Sequence, residues 1–307
     1  MATVNWRGVF PAATTQFAED FSIDHEATAR VVDNLVTDGV HGIVAMGTVG
    51  ENNSLKADEK RATLRTIVDA VAGRVPVITG VSELSTGLAA DYARDAAEIG
   101  ADGLMLLPAM VYVPQEHELE AHIRTVAAAT HLPIMLYNNP PAYRVSISVD
   151  LLKTLSDVET LVSIKESAPD PRRITDIINA CGDRYVVFAG LDDVALEELL
   201  LGAKGWVSGL TNAFPKESIA LWDAFEAGDL DAARVIYRWF MPLLHLDAEH
   251  DLVQSIKLAE AVMERGSERV RMPRMALQGE RRAEVVAMVE RARDTRPLIL
   301  KDTVIAH

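Results

Sequence analysis

Two patterns of apolar positions alternate along the chain. Short runs of apolar and β-branched residues predict strands that are buried on both faces. Longer stretches with apolar residues three or four positions apart predict helices that cover those strands. The predicted strands are Val9–Phe17, Gly42–Met46, Val75–Val81, Gly103–Leu107, Pro133–Tyr137, Leu161–Lys165, Tyr185–Ala189 and Gly205–Gly209.

A helical pattern follows each predicted strand. The first pattern starts near Asp24 and ends at Gly39, and Asp58 is the predicted cap of the second. After Pro215 the strand patterns stop and only helical patterns continue. The remaining predicted helices are Ser85–Ile99, Glu116–Ala129, Val149–Leu155, Arg172–Ala180, Val194–Leu201, Lys216–Glu226, Leu230–Leu244, Leu252–Glu264 and Arg281–Arg293.

Eight strands that alternate with helices predict an α/β fold with an all-parallel sheet, and eight is the number that closes a (β/α)₈ TIM barrel. An open, doubly wound sheet is the alternative, but its Gly-x-Gly-x-x-Gly signature is missing after the first strand. We therefore predict a barrel over residues 1–225 and a C-terminal helical appendage over residues 226–307 that packs on it.

Composition and charge narrow the class of protein. The 307 residues are 49% hydrophobic with a mean hydropathy of +0.09, which suits one large domain with ample material for a core. The net charge of −15 argues against nucleic acid or an anionic membrane as a partner, because both attract basic patches.

Three further observations bear on the compartment. The single cysteine, Cys181, cannot form an internal disulfide, which fits a reducing cytosol. The first residues lack the charged and apolar regions of a signal peptide. No apolar run is long enough to cross a bilayer. We expect a soluble, cytoplasmic protein.

The predicted strand Leu161–Lys165 ends in a lysine. Burial of an ammonium lowers its pKa, and the neutral amine that results is a nucleophile able to form a Schiff base with a carbonyl. On this stretch alone, a strand-end lysine that reaches back to solvent is the more common outcome. The other strand ends change that balance.

Barrel enzymes place their active sites at the carboxyl ends of the strands, where Tyr137 and Thr48 would join Lys165. Tyr137 could transfer protons, and Thr48 with the amides of Thr48 and Val49 could hold a carboxylate. Each residue alone also has a structural interpretation, Tyr137 as a packing residue and Thr48 as a helix cap. Together the three favour catalysis.

The remaining polar residues near these strand ends are predicted to be structural. Glu51 and Glu166 are interpreted as ion-pair or loop residues, and Arg173 as a solvated helix charge. His245 and His250 have no recognised zinc spacing, so we predict helix-end residues and no metal site.

Three motifs in order, GTVGEN, YNNP and IKES, resemble those of the dihydrodipicolinate synthase and N-acetylneuraminate lyase family of barrel enzymes. The resemblance extends from Trp6 into the C-terminal helices and includes Gly190–Asp193 and Gly205–Gly209. It implies no cofactor, a small 2-oxo or imino acid substrate and a homo-oligomer built as a dimer of dimers.

The same resemblance implies roles for individual residues. Lys165 would be the Schiff-base lysine, Tyr137 the proton relay and Thr48 part of both the catalytic and the carboxylate-binding groups. The other positions implied to bind substrate are Gly47, Val49, Asn139, Gly190 and the backbone of Val207.

The chain departs from the pattern of the synthases in this family. They resemble one another in carrying a second threonine where this chain has Val49, and an arginine where it has Ala142. Their paired tyrosines, one of which enters a neighbouring subunit's site, are replaced by Ala109-Met110, with Tyr112 as a shifted substitute. These differences weaken the prediction of a synthase that binds a second carboxylate through arginine.

Three segments instead resemble Δ1-pyrroline-4-hydroxy-2-carboxylate deaminases of hydroxyproline degradation: WRGVFPAATTQF, YNNPPAY and RWFMPLLHLD. This resemblance predicts that Lys165 opens the ring C=N bond and that Tyr137 assists loss of the hydroxyl, with release of ammonia and 2,5-dioxopentanoate. The alternatives are a 4-hydroxy-tetrahydrodipicolinate synthase, another pyruvate-dependent aldolase or dehydratase, and a barrel that binds 2-oxo acids without catalysis.

Overall fold

The computed structural model describes residues 4–109 and 112–300. Its eight strands form one all-parallel sheet in the order β1-β8-β7-β6-β5-β4-β3-β2. Backbone hydrogen bonds from Ala13 to Val44 and from His41 to Val9, both 2.9 Å, link the two ends of this sheet. The strands are β1 Gly8–Pro11, β2 Ile43–Ala45, β3 Val77–Val81, β4 Gly103–Leu106, β5 Ile134–Asn138, β6 Leu161–Glu166, β7 Val186–Ala189 and β8 Gly205–Ser208.

Helices alternate with the strands as far as β8, and only helices follow after it. The predicted (β/α)₈ TIM barrel with C-terminal helices is confirmed. The helices are α1 His25–Thr37, α2 Ala57–Val71, α3 Thr86–Ile99, α4 Glu116–Ala128, α5 Pro140–Tyr143, α6 Val149–Thr154, α7 Arg172–Cys181, α8 Ala195–Leu200, α9 Pro215–Glu226, α10 Leu230–Leu244, α11 Leu252–Val262 and α12 Gly279–Asp294. Within the described ranges, no helix is both long and apolar enough to cross a membrane.

The first strand is shorter than predicted. It ends at Pro11 rather than at Phe17. Beyond it the side chains bond to loops and helices instead of facing a strand: the Thr15 hydroxyl donates to the Gly50 carbonyl at 2.7 Å, and Thr14 donates to Glu260 at 3.0 Å. Thr14 and Thr15, which the apolar pattern assigned to the first strand, therefore form part of the rim of the barrel at the carboxyl ends of the strands.

One helix cap differs from the prediction, and one short helix was not predicted. Helix α2 begins after Lys56, so Asp58 is the second residue of the helix and not its cap. The backbone N–H of Lys56 donates to the Glu59 carboxylate at 2.8 Å. The short helix α5 was not predicted. Asn139 caps it by accepting from the Ala142 N–H at 3.0 Å.

The C-terminal helices are joined to the barrel by apolar packing and by one buried ion pair. Lys257 of α11 is fully buried, and its Nζ lies 3.1 Å from the Glu51 carboxylate in the loop after β2. The same nitrogen donates to the Thr15 carbonyl at 2.8 Å. This contact holds the loop that follows β2 against helix α11.

Candidate active site

The predicted catalytic side chains meet in one small cavity at the carboxyl ends of the strands. Its volume is about 30 Å³, and it opens into a vestibule of about 400 Å³. A groove of about 750 Å³ elsewhere contains none of the predicted catalytic side chains. The residues that line the small cavity are Ala12, Gly47, Thr48, Val49, Met105, Tyr137, Asn139, Ala142, Lys165, Gly190, Leu191, Gly209, Asp247 and Leu252.

Lys165 lies near the end of β6, opposite Tyr137 in the register with β5. Only 6% of its surface is exposed, and its Nζ lies 4.2 Å from the centroid of the Tyr137 ring. Burial lowers the pKa of Lys165, while the nearby carboxyl of Asp247 opposes that shift. Lys165 is therefore a buried lysine, and it does not reach back to solvent.

Tyr137 is oriented by its neighbour Asn139. The Asn139 Nδ2 donates to the Tyr137 hydroxyl oxygen at 2.9 Å, which leaves the phenolic proton available to another acceptor. Burial raises the pKa of Tyr137 to about 12, so the phenol holds its proton at neutral pH. It is placed to donate a proton in the cavity and take it back.

Thr48 connects this pair to a tyrosine that the sequence patterns did not single out. The Thr48 hydroxyl is hydrogen-bonded to the hydroxyl of Tyr143, whose ring meets that of Tyr137 edge-on at 5.7 Å. Tyr112, the expected substitute for the missing tyrosines, is 57% exposed and does not line the cavity. Met110, which belongs to the same expectation, lies outside the described residues.

The loop after β2 presents a backbone donor to the cavity. Within the described residues, the Val49 N–H has no hydrogen-bond partner, as expected of a group reserved for a ligand. Met46 and Glu51 flank the loop in the left-handed region, with φ of 49° and 55°. Such strained backbone persists where surrounding contacts fix it, here the pairing of Glu51 with Lys257.

Of the other predicted substrate-binding positions, Gly190 lines the cavity and Val207 does not. Gly190 is required sterically, because a β-carbon there would lie 2.1 Å from the Ser167 hydroxyl oxygen. The Val207 side chain is buried in the apolar cluster that includes Tyr137 and Val49. Gly209, two residues later, lines the wall instead.

Asp247 is the polar residue of the cavity that sequence reasoning missed. It sits in a short 3₁₀ helix, His245–Ala248, between α10 and α11. Periodicity gave no signal for it, since its neighbours read as a helix end. Burial raises its pKa to about 6, and the opposing Lys165 limits that rise.

Glu166 supports the site from below, as predicted for a structural residue. Its fully buried carboxylate accepts from Asn138 at 2.7 Å and from Arg173 at 2.9 Å. Arg173 was expected to be a solvated helix charge, and that expectation is wrong. It is partly buried and also donates to the Ile147 carbonyl, which ties the segments after β5 and β6 together.

The histidines behave as helix-end residues. The His245 Nδ1 lies 2.9 Å from the Asp193 carboxylate, and both His245 and His250 are exposed. Over residues 4–109 and 112–300, no group of three or more His, Cys, Asp or Glu side chains is arranged to hold a metal ion.

Comparison with known proteins covers most of the chain. Residues 5–292 match the dihydrodipicolinate synthetase family. The chain is 33% identical over 269 residues to the 4-hydroxy-tetrahydrodipicolinate synthase of Syntrophobacter fumaroxidans, covering 87% of this chain and 92% of that protein.

Solved structures agree with this match. Dihydrodipicolinate synthase from Aquifex aeolicus superimposes with a TM-score of 0.90 at 30% identity, covering 94% of this chain and 98% of that one. A prophage protein of the dihydrodipicolinic acid synthase family from E. coli K12, solved in complex with pyruvate, gives a TM-score of 0.89 at 27% identity, covering 94% of this chain and 99% of that one. The similarity therefore includes the cavity and the C-terminal helices around it.

Proposed function

We propose that this chain, which belongs to the dihydrodipicolinate synthetase family, is a lyase that forms a Schiff base between Lys165 and a small 2-oxo or cyclic-imine carboxylic acid. The observation that carries the proposal is the position of Lys165. Its amine is buried in a cavity beside a phenol and a free backbone N–H, which is the environment that a Schiff-base lysine requires.

The first chemical step follows from these positions. The neutral Lys165 amine attacks the electrophilic carbon, and the carbonyl oxygen takes a proton from Tyr137. Loss of water from the resulting carbinolamine gives the iminium, and Tyr137 recovers its proton through later steps. The Thr48 hydroxyl and the Val49 N–H are positioned to hold the substrate carboxylate.

The reaction that follows the iminium has two candidates. The names of the relatives favour a 4-hydroxy-tetrahydrodipicolinate synthase, which condenses pyruvate with a second substrate that carries its own carboxylate. Ala142 offers no cation for that group. Arg274 lines the vestibule, and among the described residues it has no carboxylate within ion-pair distance, so it is the group that this reaction would use.

The second candidate is the Δ1-pyrroline-4-hydroxy-2-carboxylate deaminase expected from sequence. The names of the similar proteins described above do not support it. The observation in its favour is the wall of the cavity, where Ala142 and the carboxyl of Asp247 stand in place of a cation. That wall suits a substrate with a hydroxyl better than one with a second carboxylate.

One experiment tests the Schiff base and then separates the reactions. The protein is incubated with pyruvate and sodium cyanoborohydride, and peptides are analysed by mass spectrometry; we expect one adduct, on Lys165. Lys165→Met should abolish it. Lys204→Met, at an exposed lysine that precedes β8, should retain it.

Turnover is then measured with pyruvate plus aspartate semialdehyde, and separately with Δ1-pyrroline-4-hydroxy-2-carboxylate. The substrate that is consumed decides between condensation and deamination. A folded protein that forms no adduct with pyruvate or with the pyrroline would overturn the Schiff-base proposal.

A further inference from the structure

Asp247 occupies a special place in the cavity. Among the described residues that line the cavity it is the only one with a carboxyl group, and it also lines the vestibule outside. It therefore stands between Lys165 and the route by which water and substrate enter. Desolvation of an acidic side chain at that point costs free energy, unless a hydrogen-bonding or charged partner compensates for it. A carboxyl without such a partner therefore suggests a functional role.

Among the described residues, no side-chain contact explains why Asp247 carries a carboxyl group at this position. Across the described part of the chain, Asp247 has no ion pair within 4.0 Å and no hydrogen bond from a side chain. The nearby backbone N–H of Asp192 lowers the pKa of Asp247. By contrast, buried Asp192 itself accepts from Trp206, Ser208 and Leu210 at 2.9 to 3.1 Å, as a structural carboxyl does.

The approach of Asp247 to the site depends on a glycine. A β-carbon on Gly209 would lie 2.2 Å from the Asp247 Oδ1, so any other residue at 209 would displace the carboxyl. The carboxyl thus reaches the cavity through a gap that the end of β8 leaves open.

We propose that Asp247 is a second acid–base residue of the site, which protonates the leaving hydroxyl of a substrate bound to Lys165. The proposal rests on the proposed Schiff-base function. It assigns a substrate class: 2-oxo or cyclic-imine carboxylic acids with a hydroxyl two carbons from the carbon that Lys165 attacks.

The step balances without any further reactant. From the iminium, the Tyr137 phenolate left by the first step removes a proton from the adjacent carbon, so Tyr137 regains its proton and the enamine forms. The enamine electrons re-form the iminium and make a double bond between the next two carbons as the carbon–oxygen bond breaks. The Asp247 carboxylic acid gives its proton to that oxygen, water leaves, and the carboxylate regains a proton from the vestibule.

The charged groups around Asp247 are compatible with a carboxyl group that loses and regains a proton in each turnover. Lys165 faces it from β6, Asp192 and Asp193 from the segment after β7, and Tyr137 from β5. His245 on its own helix is paired with Asp193. Burial raises the pKa of Asp247 to about 6, Lys165 opposes that rise and the carboxyl of Asp193 adds to it, so both protonation states are accessible near neutral pH.

The test compares Asp247→Asn with a matched control, Glu249→Gln. Glu249 is exposed on the outer vestibule and paired with Arg281, so the control removes a carboxylate two residues away. Three quantities are measured for each protein: the pyruvate adduct on Lys165, deuterium exchange at carbon 3 of pyruvate, and loss of the hydroxyl from Δ1-pyrroline-4-hydroxy-2-carboxylate. The first two need no leaving group.

We expect Asp247→Asn to keep adduct and exchange within about 3-fold and to slow hydroxyl loss by about 100-fold or more. The wild-type rate of hydroxyl loss should fall as pH rises through the pKa of Asp247, and the variant should lack that limb. Glu249→Gln should match the wild type in all three.

Other outcomes overturn the proposal. Equal loss of all three quantities in Asp247→Asn would mean a structural role, and unchanged hydroxyl loss would mean no role. A wild-type protein that forms the adduct but never eliminates hydroxyl would refute this inference and leave the Schiff-base function intact. Absence of any adduct would refute both.

Discussion

Lys165 and Tyr137 are register partners on neighbouring strands, and the Lys165 Nζ lies 4.2 Å from the centroid of the Tyr137 ring. The π-face stabilises an ammonium only weakly compared with a carboxylate in contact. Burial, which disfavours the charged form, is the larger influence, and it lowers the pKa of Lys165. The pair thus combines a nucleophilic amine with a phenol that retains its proton.

The first prediction concerns the pH dependence of adduct formation. The free amine is the reactive form, so the rate of pyruvate trapping should rise with pH and level off below the ordinary lysine pKa of about 10.4. The rate is measured by intact mass spectrometry between pH 6 and pH 10. A rate that keeps rising to the top of this range would show that Lys165 titrates as an exposed lysine does.

The second prediction separates the two tyrosines. Tyr137→Phe keeps the ring beside Lys165 and removes the hydroxyl that protonates the substrate oxygen, so we expect slower adduct formation on Lys165 and turnover lower by about 10² to 10⁴. Tyr143→Phe removes only the hydrogen bond to Thr48, so we expect a loss of about 10-fold, in kcat rather than in KM. Steady-state kinetics with the substrate that is consumed measures both.

Tyr185→Phe is the control for this pair, because the Tyr185 hydroxyl donates to the Leu152 carbonyl at 2.8 Å and does not line the cavity. Its kinetics should equal those of the wild type. The pH profile of Tyr143→Phe should also change, since a purely structural tyrosine would alter stability and leave the profile as it was. An unchanged profile with full activity would remove Tyr143 from the hydroxyl network.

The third prediction concerns the buried ion pair beneath the loop after β2. Glu51→Gln leaves the Lys257 ammonium buried without its counter-ion, and we expect a loss of roughly 3 to 5 kcal/mol in the free energy of unfolding. Chemical denaturation monitored by circular dichroism measures it. Glu26→Gln breaks the exposed pair with Arg30 and should cost about 0.5 kcal/mol or less. Similar costs for the two variants would contradict the structural role of the buried pair.

The fourth prediction concerns Glu198, a fully buried carboxyl that accepts from the Gly190 N–H at 3.3 Å. Burial and the nearby Glu166 raise its pKa to about 9. The folded state therefore holds a proton that the unfolded chain releases above pH 4.5, and stability is lost as pH rises from there towards 9. The slope contributed by this group is roughly 1.4 kcal/mol per pH unit.

Glu198→Gln removes the titration and keeps a polar side chain of the same size. We expect its stability to fall less than that of the wild type between pH 5 and pH 8, in denaturation curves recorded at each pH. Parallel curves for the two proteins would show that Glu198 is ionised in the folded state.

Much of the architecture was predictable because it depends on local pattern. Apolar runs and amphipathic stretches repeat through the chain, and the structure contains the eight strands and the helices at nearly the predicted places. The errors fall where side chains choose tertiary partners. Thr14 and Thr15 extend a strand-like pattern, but their hydroxyls bond to Glu260 and to the loop after β2, so the strand stops at Pro11.

Local pattern was enough to predict the barrel and the meeting of Lys165, Tyr137 and Thr48 at one rim, because parallel strands all end on the same side. It could not place Asp247 in the cavity or Tyr143 against Thr48, since both depend on how a 3₁₀ turn and a four-residue helix fold back over the strands. Only tertiary packing sets such distances. Gly209 shows the reason: the absence of one β-carbon at the end of β8 decides whether a carboxyl from a distant segment reaches the site.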